Sequence, residues 1–367
     1  MKKLCVIYNT APRYREAIFR MLDKEYECDW YFGPTTSDIK EMDVSCLKNV
    51  RYYKISMKPY CKHGILRLLW KKEYSTFLYL AESRCLTDYL FMVLSYFFFP
   101  KKSVYIWTHG LYGKENYIEM FLKKWLFSHC DGVFLYGNYA KKIMVNKGMN
   151  PNKLFIIHNS LHYDQQLSIR KTLKPSDIFT KHFSNDNPVI VFIGRLTYIK
   201  RLEMIIDSLY HLSDNGEQYN LVFVGDGEAR AELERRVEQY NIGDKVWFYG
   251  SSYDEKTNAQ LIYNADLCVA PGNVGLTAMH SMVFGCPVIS HNDFPHQMPE
   301  FEAIKKGITG DFFNYGDTVS LSKTISEWFK KHKNDRDKVR KDCYNVIDKE
   351  WNPYFQIGIF KKTIIWT

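Results

Sequence analysis

The residues best suited to chemistry in this chain are cations and amides placed beside glycines. Gly194-Arg195-Leu196 is followed by Lys200, and two cations five residues apart can clamp a diphosphate, Arg as a planar fork and Lys as a point charge. At the start of a helix such cations oppose the macrodipole unless an anion arrives, which favours a ligand over a solvated first turn. Gly225-Asp226-Gly227-Glu228 reads as a tight strand-to-helix turn, in which helix-start carboxylates and ligand contact at Gly227 weigh equally. In Pro271-Gly272-Asn273-Val274-Gly275-Leu276 two glycines permit close backbone approach, and the amides opening the next helix form an anion site. His280 is equally a satisfied core histidine or a hydrogen-bond partner for a ligand hydroxyl.

Further on, His291 to Glu302 ends in Glu300 and Glu302, and carboxylates two apart diverge on a helix, so at most one enters a given site. In the first half, Thr108-His109-Gly110 follows an apolar strand and exposes a polar group at its carboxyl end. Asn9 and Arg13-Tyr14-Arg15 flank the first strand-to-helix junction and read as substrate contacts rather than surface decoration. There is no G-x-x-x-x-G-K-[ST] loop for a nucleotide triphosphatase and no G-x-S-x-G elbow for a hydrolase. The one D-x-D triplet, Asp335-Arg336-Asp337, sits among lysines at a helix start and reads as capping rather than a metal site; no metal is expected.

The elements that must position these groups alternate strand and helix. Strand candidates are Leu4 to Asn9, Cys28 to Phe32, Phe77 to Leu80, Val104 to Thr108, Gly132 to Tyr136 and Leu154 to Ile157, with helices over Pro12 to Lys24 and Tyr117 to Ser128. Residues 165–187 are polar and aperiodic, and then the rhythm restarts. Strands Val189 to Gly194, Leu221 to Gly225, Val246 to Tyr249, Leu267 to Ala270 and Pro287 to Ser290 alternate with helices Ile199 to Leu212, Glu228 to Tyr240, Thr257 to Asn264 and Leu276 to Phe284. Helices then close the chain over Asp317 to Lys330, Asp335 to Asp348 and Trp351 to Trp366. The expected class is α/β, with two Rossmann-like domains at 1–170 and 171–349 and a terminal helix at 350–367.

The chain has 367 residues and a net charge of +9, enough for two cores. The charge is lopsided: residues 1–180 hold 28 Lys and Arg against 16 Asp and Glu, the remainder 22 against 25. A basic, aromatic first half favours an anionic partner. RNP-like and helix-turn-helix signatures are absent, so nucleic acid is not expected. Lys54 to Lys72 interleaves cations with Ile65, Leu66, Leu68, Leu69 and Trp70; an interfacial helix on anionic lipid and an ordinary packed helix weigh equally. The nine cysteines lack a C-x-x-C pair, which fits a reduced, cytoplasmic protein, and the N-terminus reads as a strand rather than a secretory leader. The longest apolar run, Tyr89 to Phe99, ends at Pro100, well below the ~20 residues needed to span a bilayer.

The ordered series FIGRLTYIK, LVFVGDGE, VWFYG, ADLCVAPG, GLTAMHSMVFGCPVI and EAIKKGITGDFF, spanning about residues 188–316, resembles the donor domain of GT4-type retaining glycosyltransferases of the GT-B fold. PRYREAIF, WTHG and GNYAKKIMVNKGMNPNKLFIIHNS resemble the acceptor domain more loosely. The resemblance implies two Rossmann-like domains facing across a cleft, with the last helix returning to the first. It also implies a nucleotide diphosphate sugar as co-substrate, with no cofactor. Arg195 and Lys200 match the cations that hold its diphosphate, and Gly194, Gly227 and Asn273, Val274, Gly275 and Leu276 fall at its phosphates and sugar. His109 matches the acceptor-domain histidine near the reaction centre, and Glu302 a recurring donor-domain carboxylate.

One departure stands out. The usual Glu-x7-Glu falls here on Gly272 and His280. The second Glu generally bonds the ribose, which His280 can do in part; the first touches the donor sugar, for which Gly272 has no side chain. An altered donor site is therefore expected. The implied function is sugar transfer to a glycan or polyprenyl-pyrophosphate-linked acceptor in bacterial surface polysaccharide assembly, by a hexosyltransferase at the inner face of the cytoplasmic membrane. An isomerase or phosphorylase on the same fold is the alternative.

Overall fold

The computed structural model describes residues 3–34 and 40–364. The chain forms two compact units, Met1–His162 with Asn352–Thr367, and Tyr163–Trp351.

The first unit is built on a parallel sheet of β1 (Lys3–Tyr8), β2 (Glu27–Phe32), β3 (Asn49–Tyr52), β6 (Tyr74–Tyr79), β7 (Ser103–Thr108), β8 (Gly132–Leu135) and β9 (Leu154–Ile156), in the order β3-β2-β1-β6-β7-β8-β9. Between β3 and β6 lies the antiparallel hairpin of β4 (Ile55–Met57) and β5 (Tyr60–Lys62). Alternate residues of β1 enter opposite cores, Cys5 and Ile7 on one face, Leu4 and Val6 on the other. That two-sided burial explains why these strands read as nearly unbroken apolar runs. The helices are α1 (Glu16–Glu25), α2 (Leu86–Phe98), α3 (Tyr117–Ser128) and α4 (Asn138–Asn146).

The second unit contains α5 (Tyr163–Arg170) and α6 (Ile178–Phe183), followed by a parallel sheet ordered β12-β11-β10-β13-β14-β15. Its strands are β10 (Val189–Ile193), β11 (Asn220–Val224), β12 (Val246–Gly250), β13 (Leu267–Ala270), β14 (Val288–His291) and β15 (Gly310–Phe313). α7 (Glu203–Asp214), α8 (Arg230–Gln239), α9 (Glu255–Asn264), α10 (Leu276–Val283), α11 (Thr318–His332) and α12 (Arg336–Glu350) accompany it. The chain then returns to the first unit as α13 (Pro353–Thr363), capped by the Asn352 side chain accepting from the Phe355 amide. Phe360 of α13 sits 5.2 Å from Trp107 and 4.4 Å from Phe134, so the returning helix completes one face of the first core.

Four expectations need correction. The first unit ends at His162, not at 170, because Arg170 of α5 pairs with Asp348 of α12 at 2.7 Å and belongs to the second unit. Lys54 to Lys72 is not a helix: Pro59 and the left-handed Gly64 break it into the β4–β5 hairpin and a 3-10 turn, Ile65–Trp70. Its Ile65, Leu68 and Leu69 are buried in the first core and cannot enter lipid. The helix expected from Ile199 begins at Glu203, after a 3-10 turn Tyr198–Lys200 and a left-handed Arg201. Asp335 does stand at a helix N-cap, but its side chain makes no capping bond. The end of the terminal-helix expectation, residues 365–367, lies outside the described residues.

Candidate functional sites

In a doubly wound sheet, ligands sit at the carboxyl ends of the strands where the strand order reverses. The second sheet reverses between β10 and β13, whose following loops begin at Gly194 and at Pro271. Lys200 belongs to this junction. Its Nζ donates to the Asn273 carbonyl at 2.6 Å and to the Asn273 Oδ1 at 2.8 Å, and lies beside Gly275 at the mouth of α10. The ammonium therefore faces the N-terminus of α10, not that of α7. Burial pushes its pKa down to about 8; the Glu300 carboxylate opposes that shift and Arg195 adds to it. Arg195 is exposed, and its side chain makes no ion pair or hydrogen bond among the described residues. Lys200 thus faces the mouth of α10, and Arg195, near enough to lower the Lys200 pKa, has no side-chain partner among the described residues.

Three glycines hold this junction tight. A Cβ at Gly225 would overlap the Gly194 carbonyl, and one at Gly227 the Leu196 carbonyl. Backbone approach thus accounts for Gly227 without a ligand. A Cβ at Gly272 would overlap the Ile199 carbonyl, and the Gly272 amide donates to the Lys200 carbonyl at 2.9 Å. The 3-10 turn lies directly against the position where the resemblance expects a carboxylate.

Of the amides expected to meet an anion, that of Val274 is taken: it donates to Gln297 Oε1 at 2.9 Å. Gln297 Nε2 in turn donates to Ser290 Oγ at 2.8 Å, tying the β13–α10 loop to β14. That leaves Gly275, at positive φ, and Leu276 as the residues that open α10. His280, on the second turn, lies with Nε2 3.1 Å from Glu255 Oε1, which also accepts from Gln166 at 2.8 Å. An ionised carboxylate only accepts, so Nε2 carries the proton. Glu300 is buried and electrostatically linked to Lys200, whereas Glu302 is half-buried on the same 3-10 turn, Pro299–Ala303. Glu255, Gln297 and Glu300 were not singled out from sequence as site residues. Gln297 and Glu300 shared one visible cue, their place in the polar stretch His291 to Glu302, and Glu255 had none.

The first sheet reverses between β1 and β6, and a cavity of about 730 Å³ opens there. Its walls include Asn9 and Thr10 after β1, Glu82 to Arg84 after β6, His109 after β7 and Lys123 on α3. The Asp88 carboxylate pins the β6–α2 loop by accepting from the Glu82 amide at 2.6 Å and from Lys62 Nζ at 2.9 Å, and it also bonds Tyr79. His109 is half-buried, its ring 4.7 Å from that of Tyr136. Desolvation, then the charges of Arg15 and Lys123, lower its pKa to about 4, so the imidazole is neutral at pH 7.

The acceptor-side expectation is corrected in part. Asn9 and His109 share the cavity, but Arg13, Tyr14 and Arg15 do not line it. Arg15 is buried, donating to Asn159 Oδ1 at 2.7 Å and to the Tyr136 hydroxyl at 2.5 Å. It packs over the Trp107 and Tyr136 rings, and so ties the residues that follow β8 and β9 together.

Residues 174–346 match the family described as Glycosyl transferases group 1. The chain is 36% identical over 104 residues to a GDP-mannose-dependent alpha-(1-6)-phosphatidylinositol dimannoside mannosyltransferase of Mycobacterium tuberculosis, covering 28% of this chain and 26% of that one. It is 26% identical over 242 residues to an alpha-1,4-N-acetyl-D-galactosaminyltransferase of Campylobacter jejuni named for a diNAcBac-PP-undecaprenol-linked acceptor, covering 64% and 62%. The chain thus spans less than two thirds of either relative's length. Among solved structures, Anabaena HepE in complex with UDP superposes with a TM-score of 0.74 at 14% identity over 99% of both chains. A glycosyltransferase of Rickettsia africae superposes with a TM-score of 0.75 at 14% identity, over 99% of this chain and 98% of that one. With its two Rossmann-like sheets and its helix returning to the first unit, the chain has the GT-B glycosyltransferase fold, and residues 174–346 match Glycosyl transferases group 1.

Proposed function

We propose that this protein transfers a sugar, with retention, from a nucleotide diphosphate sugar to a lipid-linked or glycan acceptor at a membrane surface, in assembly of a bacterial surface polysaccharide. The observation that supports it most is the pairing of Lys200 with the unengaged Arg195 at the β10–β13 reversal. Relatives are named for GDP-mannose and for polyprenyl-pyrophosphate acceptors, and a structural neighbour binds UDP.

In the reaction the bond from the anomeric carbon to the phosphate oxygen breaks, and negative charge builds on the leaving diphosphate. Arg195, the remaining ammonium proton of Lys200 and the first turn of α10 stabilise that charge in place. The acceptor hydroxyl oxygen bonds to the anomeric carbon from the leaving-group side, and its proton passes to a phosphate oxygen. His280, oriented by Glu255, takes the ribose contact that a glutamate gives elsewhere in the family. His109, neutral at pH 7, holds the acceptor side without adding charge. No metal enters this scheme.

A thermal-shift screen of UDP-, GDP- and other nucleotide sugars identifies the donor, since a ligand of the native state raises its stability. Radiolabelled donor is then incubated with candidate acceptors; label in the acceptor supports transfer. Interconversion of the donor without acceptor, or release as sugar phosphate, replaces the reading with an isomerase or phosphorylase. An unchanged donor KM in His280→Ala removes that residue from the site.

A further inference from the structure

Helix α2 is a surface helix with almost nothing to offer water. Its sequence, LTDYLFMVLSYFF, has one ionisable carboxylate, Asp88, and that is buried. Leu86, Leu90 and Phe97, spaced on one face, are exposed, Phe97 by 64%, and Phe98 at the helix end by 70%. Helix α3 lies alongside, with Tyr89 5.9 Å from Trp125 and Tyr96 5.0 Å from His129. It repeats the pattern, exposing Ile118 by 70% and Phe121 by 60%. Trp70 extends the patch from the other side, 60% exposed and 5.0 Å from Phe99. Such a contiguous apolar surface marks a binding face.

Its occupant is indicated by charge. Among residues 65–128 the exposed charged residues are Arg67, Lys72, Arg84, Lys101, Lys114 and Lys124 against one acid, Glu73; the Glu119 side chain is 39% exposed but is paired with Lys123 at 3.0 Å. Aromatic and aliphatic groups within a cationic rim match the acyl boundary and anionic headgroups of a bilayer. At 13 residues α2 is about 20 Å long. Among the described residues no helix is long and apolar enough to cross a membrane, so the face lies on it. A notch between the starts of α2 and α3, lined by Ser83, Arg84, Tyr117 and Ile118, shares Ser83 and Arg84 with the 730 Å³ cavity.

We infer that the α2–α3 face with Trp70 docks on an anionic bilayer and that Arg84, at the lip of the cavity, meets the phosphate of a membrane-borne acceptor entering from that side. The acceptor's route rests on the proposed transfer; the docking does not.

The test is co-sedimentation of the full chain with vesicles of phosphatidylcholine, with and without phosphatidylglycerol, and without any sugar donor. Wild type sediments with the anionic vesicles, and Leu90→Glu/Phe97→Glu/Phe121→Glu loses roughly tenfold or more in partitioning. As these side chains are exposed, the thermal midpoint stays unchanged. Brominated phosphatidylcholine mixed into the anionic vesicles quenches the wild type more than Trp70→Phe, a readout independent of the triple variant's folding. Arg84→Gln leaves sedimentation intact and raises KM for a phosphorylated lipid acceptor without lowering kcat. The inference is overturned if wild type stays in the supernatant with both vesicles, or if the triple variant sediments equally. It is also overturned if wild type is a dimer that the triple variant turns into monomers, which assigns the face to a second copy.

Discussion

Lys200 shows how one half-buried cation can be poised for an anion. Two of its three ammonium protons are fixed by Asn273, and the third is left for a ligand. Because burial lowers its pKa to about 8, the ammonium is charged below that pH and neutral above it. Affinity for the nucleoside diphosphate selected by the thermal-shift screen should therefore weaken as pH rises through about 8. Lys200→Gln should weaken it about 10- to 100-fold at pH 7 and flatten that dependence, as expected for losing one charge-assisted hydrogen bond. Calorimetric titration across this range checks both, and equal affinities for the two proteins would remove Lys200 from the site. Gly272 poses the opposite case, since its backbone approach to Ile199 leaves no room for a side chain. Gly272→Ala should cost about 1–3 kcal/mol through overpacking. Urea denaturation measures this, and an undiminished stability would mean the 3-10 turn moves aside freely.

At the scale of elements, the β6–α2 loop depends on an ion pair buried from both sides, Lys62 with Asp88. Replacing a buried pair whole is often harmless, but removing one member strands the other's charge. Lys62→Met should therefore destabilise the first unit by about 3–5 kcal/mol, and Lys62→Met/Asp88→Asn should recover part of it, as a double-mutant denaturation cycle would show. The inner strands of both sheets were legible in the sequence because burial on two faces leaves unbroken apolar runs, whereas the edge strands β3 and β15, only partly buried, were not expected. The Lys54 to Lys72 segment was not, because cations interleaved with leucines mimic an amphipathic helix, whereas Gly64 and Pro59 decide the backbone. Nor was α2 legible as a helix: being apolar all round, it has no period to read. The donor-side cations were legible from their spacing beside glycines, but their partners were not. Gln297 and Glu300 follow β14 and Glu255 opens α9, and only folding brings them to the Val274 amide, to Lys200 and to His280.

Across the whole molecule, each unit carries a histidine whose neutrality is tied to folding, and in the second unit desolvation lowers His182 and His332 as well. His109 in the first unit and His291 in the second are both held near about 4, chiefly by desolvation. The His291 Nδ1 accepts the Asp293 amide at 3.1 Å, a bond its protonated form cannot make. In the unfolded chain both titrate near the ordinary value of about 6.5. Between these two values the unfolded state binds more protons than the folded one, so stability is complete above about pH 6.5 and declines as pH falls through about 4. Each histidine contributes up to about 3 kcal/mol to this decline. The denaturation midpoint should drop steadily on acidification over that window, before carboxylates such as Asp29 and Glu115, held below their usual range, begin to take up protons. His109→Gln and His291→Gln should each make the slope shallower, and the double variant shallower still, because glutamine fills a similar space without titrating. Midpoints constant down to about pH 4.5 would show that both imidazoles accept a proton in place. His109 would then be free to act as an acid in its cavity, and its assignment as a neutral group on the acceptor side would fall with the stability argument.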